Sequence, residues 1–149
     1  MMGGDALRRR TRELLRTRGL APRKRFGQHF LVSAGVRDRI LQEADLGPSC
    51  TAVEIGPGTG LLTEALLATG AAVLAVELDA GLARLLEETL GGHPCLRSWA
   101  ADALQFDFAG ALAPYRDRGP VRVVANIPDQ ITAPRSFRRA TSTDDQGET

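Results

Sequence analysis

Two cysteines, Cys50 and Cys95, are too few for a disulfide framework and supply no thiolate metal cluster. Their scarcity fits a reducing cytoplasm. No apolar run approaches the roughly 20 residues that a membrane-spanning helix needs. The N-terminus has no apolar signal core, and although its arginines would suit a mitochondrial presequence, Asp5 and Glu13 count against one. The net charge is only +1, so the chain as a whole has no polyelectrolyte character. What remains is a soluble, globular chain of 149 residues, 43% hydrophobic, long enough for one domain with a real core.

The charge is nevertheless unevenly placed. Nine basic residues lie between Arg8 and Arg25, and over residues 1–25 only Asp5 and Glu13 oppose them. A basic arm over 1–25 points to a polyanion, most simply a nucleic acid. A solvated basic helix is the plainer alternative. Residues Asp5 to Arg18 read as that helix, with Leu7, Leu14 and Leu15 on one face and Gly19 and Pro22 beyond its end.

The stretch that organises the chain is Val53-Glu54-Ile55-Gly56-Pro57-Gly58-Thr59-Gly60-Leu61-Leu62-Thr63. An apolar approach runs into a glycine-rich turn and then a helical run, Leu61 to Ala68. This is the strand, turn and helix that open a nucleotide-binding α/β sheet. Glycine is required where the backbone takes positive φ or lies against a ligand. The glycines at 56, 58 and 60, with Pro57 between the first two, fit the dinucleotide pattern G-x-G-x-x-G poorly. They suit instead a turn that lets the methionine end of S-adenosylmethionine lie along the backbone. A second apolar run, 71–76, ends in Glu77, and an acid about 20 residues beyond the turn is placed to accept ribose hydroxyls.

The remaining elements follow the same alternation. A helix is expected from Ser33, a suitable cap, to Ala44, closed by Gly47 and Pro48. Leu82, Leu85, Leu86 and Leu90 mark the inward face of a helix over 81–90. A third strand lies near 95–99, and Val121 to Ala125 form a fourth that ends at Asn126-Ile127-Pro128. Strands alternating with helices predict a parallel sheet covered on both faces. Beyond Pro134 the only large apolar residue is Phe137, so 135–149 reads as a disordered tail. With nothing beyond it, the fourth strand is expected to leave an exposed, association-prone edge.

Five motifs stand in chain order: Phe26-Gly27-Gln28-His29-Phe30-Leu31, the glycine turn with Glu54, Glu77-Leu78-Asp79, Asp102-Ala103-Leu104, and Asn126-Ile127-Pro128-Asp129. Together they resemble the ribosomal RNA adenine dimethyltransferases, which transfer methyl groups from S-adenosylmethionine to adenine N6. The likeness covers about residues 22–134, and its first motif is the most specific, because other methyltransferases lack it. It implies a Rossmann-like methyltransferase domain over 26–134, holding the first four strands of an incomplete parallel sheet with the C-terminal part missing. It implies S-adenosylmethionine as cofactor and small-subunit ribosomal RNA as partner in the cytoplasm, with no metal and no membrane. Residue by residue, His29 and Leu31 would lie over the cofactor, and Gly56 and Gly58 along its methionine and ribose part. Glu77 would hold the ribose and Asp102 the adenine amino group. Asn126 would accept a hydrogen bond from the target N6, with Pro128 lining that pocket.

Three departures bear on activity. The family places an aromatic residue where this chain has Asp129. After Pro134 it continues with an apolar helix, where this chain reads Arg135-Ser136-Phe137-Arg138-Arg139. Its later strands and small helical domain should then follow. A shifted reading frame or an interrupted gene near residue 135 would account for the last two. Two readings therefore stand: a dimethyltransferase, or a catalytically silent fragment that binds cofactor or RNA.

Overall fold

A computed structural model describes residues 34–127 and 130–137, together with Arg9, Glu13 and Arg16; over 126–137 the description is of the backbone. Those three N-terminal residues are helical and exposed, while most of the expected 5–18 helix lies outside the described residues. The element order is α1 (Ala34–Ala44), β1 (Thr51–Ile55), α2 (Leu61–Leu67), β2 (Ala72–Glu77), α3 (Ala80–Leu90), β3 (Leu96–Ala100), α4 (Phe108–Leu112), a 3-10 turn (Ala113–Tyr115), β4 (Val121–Ile127) and β5 (Gln130–Phe137).

The strands form one sheet in the order β3-β2-β1-β4-β5. The first four are parallel, as the alternation of strands and helices requires, and β1 is central, with Ile55 opposite both Val76 of β2 and Ala125 of β4. Alternating residues then feed two cores. On one face Ala52, Val73, Ala75 and Val124 meet Ile40 of α1, Leu62 and Leu66 of α2, and Leu86 of α3. On the other, Val53, Leu74 and Val121 meet Leu112 of α4, with Trp99, Phe108 and Tyr115 around them. Every residue of β2 is buried, which is why it reads as a continuous apolar run.

The helix ends have local causes. α1 stops at Asp45, which takes a left-handed conformation with φ 49, two residues before the expected Gly47. Aspartate tolerates that region better than most side chains. Asp79 caps α3, its Oδ1 accepting the Leu82 N–H at 3.0 Å. α2 has no side-chain cap and starts from Gly60 at φ 88.

One expectation is overturned. The edge of β4 that was to lie open is paired with an antiparallel strand, β5, which runs through Arg135 to Phe137 and past the boundary set at Pro134. Pairing runs from Val121↔Phe137 to Val123↔Arg135, then shifts to Ala125↔Thr132, so Ala133 and Pro134 together oppose Val124. That is a β-bulge, and it holds the residue with no N–H to donate to a ladder. The hydrophobic pattern of 130–137 did not announce this strand; its partner edge on β4 makes it. Residues 138–149 lie outside the described residues.

At Gly60 a methyl group would meet Leu86 Cδ1 at 2.8 Å, and φ +88 is strained for any L side chain. We expect Gly60→Ala to cost about 1–3 kcal/mol of stability, the usual range for a non-glycine residue held there. Urea unfolding of the two chains measures it; an unchanged midpoint would refute the constraint.

Candidate functional site

Parallel pairing brings four chain segments to one end of the sheet. The turn after Ile55, the acid ending β2, the segment after β3 and the last residues of β4 all lie at the carboxyl ends of their strands. Open α/β sheets bind ligands at that end. Gly56, Gly58 and Gly60 take φ of 74, 60 and 88, so all three glycines of the turn use conformations that side chains disfavour. The Gly56 N–H donates to the Val76 carbonyl at 3.0 Å, and the Gly60 N–H to the Pro57 carbonyl at 3.0 Å.

Glu77 joins this turn to the next. Its Oε1 accepts the Gly58 N–H at 3.0 Å and its Oε2 the Asp79 N–H at 2.8 Å. The carboxylate is thus oriented by backbone from both sides, and each oxygen keeps a further lone-pair position. Burial raises its pKa, while the Asp79 and Gly58 N–H bonds pull it back. At the end of β3, the Ala101 N–H donates to the Glu77 carbonyl at 2.9 Å. Asp102 Oδ1 accepts the Leu104 N–H at 2.9 Å, a local turn that leaves Leu104 94% exposed. Leu78, next to Glu77, is also half exposed.

The structure thus brings Gly56, Gly58, Glu77 and Asp102 to one end of the sheet. Asn126 is there too, as a backbone position of β4 paired with Ile131. His29, Leu31, Pro128 and Asp129 lie outside the described residues. Among the described residues no group of three His, Cys, Asp or Glu side chains could hold a metal, and no helix is long and apolar enough to cross a membrane.

Sequence reasoning passed over a second acid. Glu54, within the glycine motif, is fully buried, and its Oε1 accepts the Thr63 hydroxyl at 2.5 Å from the first turn of α2. Among the described residues its Oε2 has no hydrogen-bond partner. The signal was available: a carboxyl on the inward face of a strand, with a hydroxyl on the inward face of the helix that follows. Burial raises the Glu54 pKa from 4.5 to about 7, the Thr63 hydrogen bond lowers it, and the charge of Glu77 raises it.

A glycine turn and a strand-end acid joined by hydrogen bonds, at the carboxyl end of a 3-2-1-4 parallel sheet, define a Rossmann-like domain of the methyltransferase class. The chain belongs to the ribosomal RNA adenine dimethylase family, whose model matches residues 19–141. It is 46% identical over 138 residues to the ribosomal RNA small subunit methyltransferase A of Moorella thermoacetica, covering 89% of this chain and 48% of that protein. The chain therefore spans about half the length of the curated relatives it matches. Among solved structures, the 23S rRNA methyltransferase ErmE is 28% identical with a TM-score of 0.50, over 65% of this chain and 48% of its own. An RNA methyltransferase from Salinibacter ruber, solved in complex with S-adenosyl-L-homocysteine, has the same fold; it is 20% identical with a TM-score of 0.50, over 63% of this chain and 75% of its own.

The raised Glu54 pKa makes a sign-definite prediction. A carboxyl with a folded pKa near 7 and an unfolded pKa near 4.5 stabilises the fold fully below the lower value and loses that contribution as pH rises through the higher. Glu54→Gln should therefore gain on the parent chain by about 2–3 kcal/mol between pH 5 and pH 8, at 1.36 kcal/mol per pKa unit. Denaturant melts at both pH values check it, and parallel pH profiles would count against the buried acid.

Proposed function

We propose that this chain carries the cofactor-binding half of a ribosomal RNA adenine N6-dimethyltransferase, using S-adenosylmethionine and acting on small-subunit rRNA in the cytoplasm. The observation that carries the reading is the Glu77 carboxylate, fixed by the Gly58 and Asp79 N–H groups at the ligand-binding end of the sheet. The residues fit such a ligand. Glu77 keeps acceptor positions for ribose hydroxyls, and three glycines leave the turn free of side chains that would block approach. Leu78 and Leu104 offer exposed apolar surface beside two acids, the combination that a flat, amino-bearing adenine needs.

The cofactor supplies a methyl group already activated by the positive charge on its sulfur. The protein's task is therefore placement. With the cofactor bound, Gly56 and Gly58 would admit the methionine end, Asp102 would accept from the adenine amino group, and His29 and Leu31 would lie over it. The Asn126 side-chain oxygen would accept a hydrogen from the target N6 and turn the nitrogen lone pair towards the methyl, and Pro128 would line the pocket. Bringing the reacting atoms to about 3–3.5 Å in line is the catalytic contribution.

Asp129 favours a second reading, a chain that binds cofactor or RNA without turnover. An aromatic side chain at that position would stack on the target base, and such stacking is worth about 1–3 kcal/mol. A carboxylate has no π-face and adds charge. Methyl transfer to unmethylated small ribosomal subunits by the chain and by Asp129→Tyr separates the readings: turnover restored by the tyrosine makes the pocket the defect.

Two binding measurements test the rest. Glu77→Ala should weaken S-adenosylmethionine binding at least tenfold in calorimetry, because a ribose hydroxyl bound to an ionised group is worth about 1.5–3 kcal/mol. Unchanged affinity would sink the ribose assignment. Removing residues 1–25 should lower RNA affinity at low salt and flatten its salt dependence, since each neutralised phosphate releases counterion. Equal binding by both chains would contradict an RNA-directed arm.

A further inference from the structure

Glu54 is not used by the functional reading above, yet it lies beneath the same turn. Register places it opposite Ala75, so Glu77, two residues further along β2, projects from the same face of the sheet as its diagonal neighbour. One Glu54 oxygen is committed to Thr63, and the other is buried with no hydrogen-bond partner among the described residues. Two carboxyls so close together do not both ionise freely, and Glu77 is the one with backbone N–H donors on both oxygens. Glu54, fully buried and with a single hydroxyl donor, is the acid of the two that burial raises to about 7.

Other charges on the neighbouring elements do not alter that assignment. Arg37 of α1 is bonded to Asp38, and Arg122 of β4 donates to the Ala44 carbonyl. Asp79 caps α3, whose Arg84, Glu87 and Glu88 are exposed. Glu64 of α2 follows Thr63 and is partly buried. Among charged groups it is Glu77 whose field acts on Glu54.

We propose that Glu54 is a proton-holding carboxyl beneath the glycine turn, and that a cationic ligand seated in the turn displaces that proton to solvent. The bond broken is the carboxyl O–H. The proton leaves to buffer, and the carboxylate left behind is balanced by the positive charge of the ligand. The inference rests on reading the turn as an S-adenosylmethionine site, whose ligand carries positive charge on sulfur and on its amino group. It makes binding of that ligand dependent on pH near neutrality, and it makes Glu54 a positioning residue with an electrostatic role. A carboxyl raised by burial to about 7 is half protonated there, which is where such coupling is largest.

The test is calorimetry of the full chain with S-adenosylmethionine at pH 7, in phosphate and in Tris, whose ionisation enthalpies differ. A positive charge that lowers a neighbouring carboxyl by one to two units should release roughly half a proton per ligand. The same linkage should raise affinity about fivefold to tenfold between pH 6 and pH 8. Glu54→Gln, which keeps an acceptor for Thr63, should bind with no release and with flat affinity across that range. Thr63→Val removes the hydrogen bond that lowers the Glu54 pKa and should move the release to higher pH. Clear binding with equal enthalpies in both buffers overturns the proposal and leaves the cofactor reading intact. Release that persists unchanged in Glu54→Gln also overturns it. No binding in any chain removes the cofactor reading and this inference together.

Discussion

The functional end of this molecule depends on one carboxylate held by two backbone N–H groups. Glu77 spans from the glycine turn after β1 to the helix start after β2, through Gly58 on one side and Asp79 on the other. Hydrogen bonds to an ionised acceptor are about twice as strong as neutral ones, and burial excludes competing water. Binding and architecture therefore share a group. The acid that is suited to receive a sugar is also what sets the distance between the two turns around it.

Burying a second acid beside the first is expensive, and the sheet accommodates it in a particular way. Glu54 stands in the middle of the most buried part of the protein, among Val53, Ala75 and Val124. An apolar residue there would pack without penalty. An ionised carboxyl would face both desolvation and the field of Glu77. The Thr63 hydroxyl satisfies one oxygen, and the raised pKa relieves the rest of the conflict by keeping the group neutral for much of the time. The cost of that choice is a contribution to stability from this one group that falls as pH rises through about 7.

Local chemistry made much of this legible from the sequence. β1, α2 and β2 declared themselves because apolar runs, glycines and a strand-end acid sit at fixed offsets; the hydrogen bond that joins Gly58 to Glu77 was seen only in the structure. α3 showed its leucine stripe, and Leu82, Leu85 and Leu86 are its buried residues. Features set by distant partners were not legible. β5 contains a proline and has no alternation, and it exists because β4 offers an edge. α4 is five residues long, too short to show a period. The Glu54–Thr63 bond is a different case: its two residues sit on the inward faces of a strand and the helix that follows, a signal the sequence carried and the reading passed over. The roles assigned to His29, Leu31, Pro128 and Asp129 rest on resemblance and fall outside the described residues.

The position of β4 has a consequence for how the chain is made. β1 is flanked by β2, which follows within a few tens of residues, and by β4, whose Val121 pairs with Thr51 across 121 − 51 = 70 positions. Contacts of that span close late, because loop entropy is lost before pairing rewards it. During synthesis from the N-terminus, β1 and β2 are complete and able to pair while β4 is still unmade. The central strand of the finished sheet is thus an edge strand in the nascent one. Until residues 121–127 arrive, its unpaired N–H and C=O groups are the part of the growing chain most open to pairing with something else.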